Sequence, residues 1–129
     1  MKTKRFAIYN KCNGNCGYCG NPLQYQDMQV DHIISQSTFY HSITNNFHVP
    51  DFLSHLTVVD VNHIDNLMPS CRSCNNFKKT FHLELFRAEI SEQIKRLRQW
   101  KPTFRLAERF GLIECKPKEI KFYFELHKA

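Results

Sequence analysis

The stretch Cys16-Gly-Tyr-Cys19 and its counterpart Cys71-Arg-Ser-Cys74 decide the fold of this chain. A two-residue gap lets both thiolates of a Cys-x-x-Cys turn reach one metal ion, and Gly17 and Gly20 allow the tight backbone of such a turn. Four thiolates suit tetrahedral Zn²⁺ and leave no coordination position open. We therefore predict a structural zinc with four ligands: Cys16, Cys19, Cys71 and Cys74.

Two further cysteines, Cys12 and Cys115, stand outside these pairs. Cys12 offers an alternative partner for Cys16, and disulfide bonds or simple burial are the other uses of paired cysteines. The basic N-terminus is followed by no apolar segment, and no run approaches the roughly 20 apolar residues of a membrane span. We expect a cytoplasmic protein with no membrane association, and a reducing compartment favours metal over disulfides.

Length and composition predict a single domain over residues 1–129, with 42% hydrophobic and 23% charged residues. These values exclude a disordered chain. Residues 72–129 hold fourteen Lys and Arg against seven Glu, whereas residues 1–71 hold four against five Asp. Clustered basic residues favour a polyanionic partner, because they release counterions from phosphates. A solvated helical face rich in Lys is the alternative interpretation.

Every acidic residue before Cys71 is Asp and every one after it is Glu. Asp favours turns and Glu favours helix interiors, so loops and short strands should precede a helical second half. We predict strands at residues 6–9, near Asp31-His32 and at Leu67-Met68. Residues 35–62 should form an irregular insertion, in which 56–59 is a further candidate strand.

In the second half, a helix is predicted from about residue 73 past 79, followed by a long helix at about 81–100. The long helix has apolar residues at steps of three or four, which is one face of a 3.6-residue period. Pro102 should end it, and a shorter helix should occupy about 103–110. Alternation of apolar and polar residues at 120–126 predicts a closing strand.

An aspartate precedes a histidine at the predicted end of the second strand. Successive side chains of a strand point to opposite faces, so Asp31 can hold a hard divalent cation while His32 faces a water molecule. An imidazole suits a general base near neutral pH. Taken alone, the dipeptide also fits a solvated loop histidine.

Three motifs in this order resemble the HNH endonuclease family in its zinc-framed form: Val30-Asp31-His32-Ile33-Ile34, then Asn66-Leu67, then Cys71-x-x-Cys74-Asn75-x-x-Lys78. The resemblance implies an α+β fold, a small zinc-stabilised ββα-metal (His-Me finger) domain with C-terminal helices and a final strand. Residues 12–80 would form the zinc-framed core. Residues 81–129, the C-terminal extension, look like the tails of small phage-type HNH proteins.

The resemblance also assigns roles. His32 matches the general base that deprotonates the attacking water, and Asn66 matches the asparagine that orders the loop carrying that base. Asp31 and Asn75 match the ligands of a catalytic Mg²⁺ or Mn²⁺. The reaction implied is hydrolysis of double-stranded DNA to 5′ phosphate and 3′ hydroxyl ends. Near the start of the same helix, further side chains are predicted to contact DNA phosphates, or alternatively to form a solvated face: Arg72, Lys78 and Lys79.

The chain departs from the family pattern in two ways. Position 75 holds Asn where the family usually has His, and this neutral oxygen ligand favours Mg²⁺ or Mn²⁺ over softer ions. The interval from His32 to Asn66 is also long, so residues 35–62 would form an extra loop over the site or on the DNA. His63 is either a further ligand or a turn histidine.

The leading hypothesis is therefore a metal-dependent DNA endonuclease, a phosphodiester hydrolase. A non-catalytic zinc module that binds nucleic acid is the alternative, and a zinc-stabilised protein-interaction domain is a third interpretation. A homodimer, and phage or restriction partner proteins, are left open by the sequence. A basic stripe is a candidate DNA-backbone surface: Lys95, Arg96, Arg98, Lys101, Arg105 and Arg109.

Overall fold

A computed structural model describes residues 2–127 of the chain. Within that range the fold is α+β, with one two-stranded antiparallel sheet and seven α-helices. The strands are β1 (Gln29–His32) and β2 (Leu67–Ser70). The helices are α1 (Lys2–Asn10), α2 (Phe39–Asn45), α3 (Arg72–Lys78), α4 (Leu83–Ser91), α5 (Gln93–Trp100), α6 (Pro102–Arg109) and α7 (Tyr123–Leu126).

The sheet brings the two halves of the sequence pattern together. β1 pairs with β2 so that Asp31 lies opposite Met68 and His32 opposite Leu67. α3 begins at Arg72, directly after β2. Both strands lie near the residues predicted, and the helix predicted from about residue 73 past 79 runs from Arg72 to Lys78. Lys78 contacts Asp31 and the His32 carbonyl, so this helix lies beside the Asp31-His32 pair.

The predicted strand at residues 6–9 is wrong, because these residues belong to helix α1. Two residues of this helix that contact the rest of the fold, Arg5 and Ile8, are three positions apart, as on one face of a helix. Arg5 donates to the carbonyl oxygens of Tyr25 and Met28, and Ile8 is buried in a small cluster with Met28. A four-residue window is too short to distinguish this spacing from the alternation of a strand.

The insertion at residues 35–62 contains helix α2, and its candidate strand at 56–59 is a turn. The backbone N–H and the hydroxyl of Thr57 both donate to the Asp60 carboxylate, at 2.7 and 3.0 Å. An aspartate that satisfies the backbone three residues away stabilises a turn rather than a strand. Leu56 is buried there, while Val59 is exposed.

The long helix predicted at 81–100 is divided at Glu92 into α4 and α5. The Ser91 hydroxyl donates to the Arg87 carbonyl, and the Gln93 amide donates to the Glu89 carbonyl. Side chains that bond helix carbonyls compete with the regular ladder and favour a bend. Pro102 ends α5 as predicted and also begins α6. No helix among residues 2–127 combines the length and apolarity needed to cross a membrane.

The predicted closing strand at 120–126 is wrong, because residues 123–126 form helix α7. The Glu125 carboxylate accepts from the backbone N–H of Phe122 at 2.8 Å, which caps this short helix. The alternating aromatic residues pack instead on one buried ring: Phe122 and Phe124 lie 5.4 and 6.3 Å from Tyr18 between ring centroids. Phe86 completes this aromatic core at 5.3 Å from Tyr18.

The side chain of His82 caps the start of helix α4 and makes the stability of this helix depend on pH. Its Nδ1 accepts from the backbone N–H of Leu85 at 3.2 Å, and its ring stacks on His48 at 3.8 Å between centroids. Burial, then the nearby His48, lower the pKa of His82, with Lys78 adding to this and Glu84 opposing it. A histidine whose pKa is lower in the folded state stabilises the fold above its unfolded pKa of about 6.5 and loses that contribution as the pH falls.

We predict that acidification from pH 7 to pH 5 destabilises the wild type more than the variant His82→Asn. Asn keeps a capping oxygen but cannot be protonated. Loss of a cap costs about 1 kcal/mol, or roughly 4 °C in a domain of this size. Thermal unfolding at both pH values measures the difference, with His127→Gln as the control. An equal loss in wild type and His82→Asn would contradict the assignment.

Candidate active site and zinc cluster

The four predicted zinc ligands come together at the junction of the first cysteine turn and helix α3. The sulfur atoms of Cys16, Cys19, Cys71 and Cys74 all lie within 4.8 Å of one another. Cys19 and Cys71 are 3.8 Å apart between sulfurs, and four sulfurs at the usual Zn–S distance of about 2.3 Å are spaced by roughly 3.8 Å. The donor set fits a structural zinc.

Backbone groups support this cluster. The N–H of Cys71 donates to the Cys16 sulfur, and the N–H of Cys74 donates to the Cys71 sulfur, both at 3.3 Å. A hydrogen bond from Cys74, followed by backbone N–H groups, lowers the pKa of Cys16 to about 4 against the opposing effect of burial. N–H groups aimed at sulfur stabilise thiolates, the form in which cysteine binds a metal.

Two glycines shape the first cysteine turn. Gly17 is required by close packing, and Gly20 is required by its backbone conformation. A Cβ atom at Gly17 would lie 2.2 Å from the Met68 sulfur, and the Gly17 N–H donates to the Pro69 carbonyl at 2.7 Å. Gly20 adopts a φ of +82°, which L residues rarely do. The contacts of Gly17 with Met68 and Pro69 hold the first turn against strand β2.

The other two cysteines lie outside the cluster. Cys12 is buried and contacts the Met68 sulfur at 3.9 Å, and Cys115 is partly exposed. Cys12 therefore does not replace a member of the four-sulfur set in this structure.

Asp31 is held by two buried partners. The Tyr18 hydroxyl and the Lys78 ammonium, at 2.5 and 3.0 Å, both contact its Oδ2 atom. Burial raises the pKa of Asp31, and Lys78 and then Tyr18 oppose that shift. Burial, followed by the charge of Asp31, raises the pKa of Tyr18 well above its usual value, so this phenol stays a donor. Both contacts are made by Oδ2, so Oδ1 is the atom that can bind an ion.

Lys78 does not face solvent, and its prediction as a DNA contact is corrected. Its side chain is 0% exposed, and its ammonium donates to the His32 carbonyl at 3.0 Å in addition to contacting Asp31. Lys78 follows Cys74 by four residues and Asn75 by three, which puts it on the same inward face of α3. This spacing was the available sequence signal for burial.

His32 lies at the end of β1 with one ring nitrogen already bonded. Its Nε2 is 2.8 Å from the Asn62 side-chain oxygen. An amide oxygen only accepts hydrogen bonds, so Nε2 carries the proton and Nδ1 keeps a free lone pair in the neutral ring. Sequence reasoning missed Asn62, since nothing in the local pattern relates residue 62 to residue 32.

Asn66 is fully buried and fixes the chain that follows His32. Its side-chain oxygen accepts from the Ile34 N–H at 2.9 Å, and its amide donates to the carbonyls of Ile34 and Val61. Its own carbonyl accepts from the Ile33 N–H at 2.8 Å. Residues 33 and 34 are thus held by one asparagine.

Asn75 lies on α3, and its amide nitrogen donates to the Gln29 side-chain oxygen. This bond orients the Asn75 oxygen away from Gln29, as a ligand requires. One open surface cleft is lined by Asp31, His32 and Asn75, together with the exposed Lys79. The structure therefore brings together both predicted ligands and the predicted base.

The remaining basic residues differ in whether their side chains are exposed and whether they already pair with an acidic residue. Arg72 and Lys79 are exposed on α3 and at its end. In the basic stripe, Arg96 pairs with Glu89 at 2.6 Å and Arg98 with Glu108 at 2.8 Å. Lys95 also lies 4.0 Å from Glu92, so three charges of the stripe have a local acidic partner. The turn interpretation of His63 fits its contact, since its Nδ1 accepts from the Asp65 N–H.

Comparisons of the chain with protein-family models, with curated proteins and with solved structures found no match.

We predict that the wild type binds one zinc on its four clustered cysteines and that Cys74→Ser loses this ion. Structural zinc contributes on the order of 10 kcal/mol to folding, which is comparable to the whole stability of a small domain. The variant should therefore be largely unfolded at room temperature. Metal analysis and circular dichroism measure both effects, with Cys115→Ser as the control. One equivalent of zinc and an unchanged melting temperature in Cys74→Ser would disprove this ligand.

Proposed function

We propose that this protein is a metal-dependent endonuclease that hydrolyses phosphodiester bonds of double-stranded DNA. The observation that carries the proposal is the shared cleft of Asp31, His32 and Asn75. A carboxylate oxygen and an amide oxygen can hold a divalent cation, and an imidazole with a free nitrogen can act as the base. Such hydrolysis requires both kinds of group. The succession β1, β2 and α3 around the cleft supports a ββα-metal arrangement.

In this proposal, His32 acts as the general base. Its Nδ1 takes a proton from the water that attacks phosphorus, while Asn62 holds the ring through Nε2 and stabilises the resulting imidazolium. The bond from phosphorus to the 3′ oxygen breaks, leaving a 5′ phosphate, and the 3′ oxygen acquires a proton from solvent.

Asp31 and Asn75 would hold the catalytic divalent cation. Such an ion, when bound, supplies a positive charge that stabilises the phosphorane-like transition state and the leaving oxygen. An all-oxygen ligand pair from Asp and Asn suits Mg²⁺ or Mn²⁺. Burial raises the pKa of Asp31, and the charge of Lys78 beside Oδ2 opposes that rise, which favours the ionised form.

Lys79 is the proposed phosphate contact at the edge of the cleft. Its side chain is exposed, and its backbone has a φ of +54° and a ψ of −124°, a conformation rare for a residue with a Cβ. Strain of this kind collects at binding sites, where the surrounding structure enforces it. The net positive charge of residues 72–129 supports a polyanionic partner.

We predict that the purified, zinc-loaded protein cuts or nicks plasmid DNA with Mg²⁺ or Mn²⁺, and that His32→Ala lowers the rate by about 10²–10⁴-fold, the usual contribution of a general base. His41→Ala, which changes an exposed histidine outside the cleft, is the matched control. Gel assays with mapping of the ends measure the reaction. Equal products from wild type and His32→Ala across several divalent ions would exclude the proposed mechanism. DNA binding without cleavage would favour the non-catalytic zinc module.

We predict further that Lys79→Ala weakens DNA binding. The negative slope of log K against log salt should become less steep by about 0.9, the value for one phosphate contact. Arg98→Ala removes the same charge, but Arg98 is paired with Glu108. The salt dependence of DNA binding by Arg98→Ala should therefore have the wild-type slope. Fluorescence anisotropy on one duplex between about 50 and 200 mM salt measures both. Equal slopes in wild type and Lys79→Ala would remove Lys79 from the interface.

A further inference from the structure

A second group of metal-binding side chains lies in the loop at residues 55–65, apart from the four cysteines. One ring nitrogen each of His55 and His63 and one carboxylate oxygen of Asp65 lie within 4.8 Å of one another. We propose that these three side chains form a site for a zinc-class transition-metal ion, distinct from the structural zinc and from the proposed catalytic cation.

The distances in this cluster fit a tetrahedral ion. Three nitrogen or oxygen ligands at about 2.0–2.2 Å from zinc lie roughly 3.3–3.6 Å apart. His55 Nε2 is 2.7 Å and His63 Nδ1 is 3.7 Å from Asp65 Oδ2, so the two distances bracket the ideal value. The His55–Asp65 distance must lengthen by about 0.6–0.9 Å and the His63–Asp65 distance must shorten by about 0.1–0.4 Å to reach this geometry.

The donor types select the ion. Two imidazoles and one carboxylate bind Zn²⁺, Ni²⁺ or Cu²⁺, whereas Mg²⁺ prefers oxygen ligands alone. Both histidines are exposed, so the fourth position of a tetrahedral ion would face solvent and take water. An ion with three protein ligands and one water differs from the closed four-thiolate site.

Neighbouring charges also favour a cation here. Hydrogen bonds from Thr57, and to a lesser extent the charges of His63 and His55, lower the pKa of the Asp60 carboxyl. Lys11 is the opposing charge, since it interacts with Asp65, but its ammonium donates to the backbone carbonyls of Ile64 and Leu67. Two carboxylates therefore act on the site against one lysine that is directed elsewhere.

Binding replaces two hydrogen bonds of the loop. His55 Nε2 is hydrogen-bonded to Asp65 Oδ2 at 2.7 Å, and an ion between these two atoms takes the place of that bond. The Nδ1 atom of His63 accepts from the Asp65 N–H at 3.0 Å, and an ion that takes this lone pair breaks the bond. A hydrogen bond of this kind contributes about 1 kcal/mol, less than metal–ligand bonds supply. The released Asp65 amide gives a signature of binding that can be observed by NMR.

The test is a calorimetric titration of Zn²⁺ into full-length protein already carrying one zinc on its cysteines. The proposal predicts one further equivalent in the wild type. His55→Ala and Asp65→Asn should weaken it at least about tenfold, since loss of even a supporting partner of a ligand costs about 10–100-fold. The Asp65 amide resonance should shift on saturation.

His41→Ala is the matched control and should bind the second ion as the wild type does. A thiolate-to-cobalt charge-transfer band in the Co²⁺-substituted variants shows that the four-cysteine site is intact. A single zinc in total, or a second zinc bound equally by His55→Ala and Asp65→Asn, would overturn the proposal. The readout needs no DNA cleavage, so it stands apart from the proposed nuclease activity.

Discussion

The contact among four sulfurs is the constraint on which the rest of this structure depends. Cys16 and Cys19 belong to a turn in the first part of the chain, and Cys71 and Cys74 begin helix α3, more than fifty residues later. The sheet between them has two strands of four residues each, and an isolated pair of strands is marginal in water. A metal at this junction would hold β1 beside α3, and with it the cleft that both elements line.

The buried contact of Lys78 with Asp31 is the second fixed point. Lys78 donates to the His32 carbonyl as well, so one ammonium joins both residues of the Asp-His pair to helix α3. Burying two charges is costly, and such a pair adds less to stability than to geometry. Tyr18, in the middle of the first cysteine turn, donates to the same carboxylate oxygen and connects the four-sulfur cluster to the cleft.

Local patterns in the sequence predicted what depends on local spacing. The cysteine pairs, the strands near residues 31 and 67 and the helix after Cys71 were found because their signals span only a few residues. The strands predicted at 6–9 and 120–126 failed for a related reason, since short apolar windows fit a helix packed on Tyr25 and Met28, or aromatic rings packed on Tyr18, equally well. Lys78 was misplaced because charge alone says nothing about a buried partner. Asn62 depends on a tertiary contact with His32, thirty residues away, that no single segment encodes. The cluster of His55, His63 and Asp65 depends on how the loop at residues 55–65 folds back on itself, which its spacing does not predict.

Hydrogen exchange with and without zinc tests most directly whether the four-sulfur cluster holds the cleft together. The amides of Ile33 and Ile34 are bonded to the carbonyl and side-chain oxygens of Asn66, so they report on the segment that follows His32. We expect both amides to be strongly protected in the zinc-loaded protein and to exchange rapidly once a chelator has removed the metal. Undiminished protection of both amides in the zinc-free protein would contradict the account.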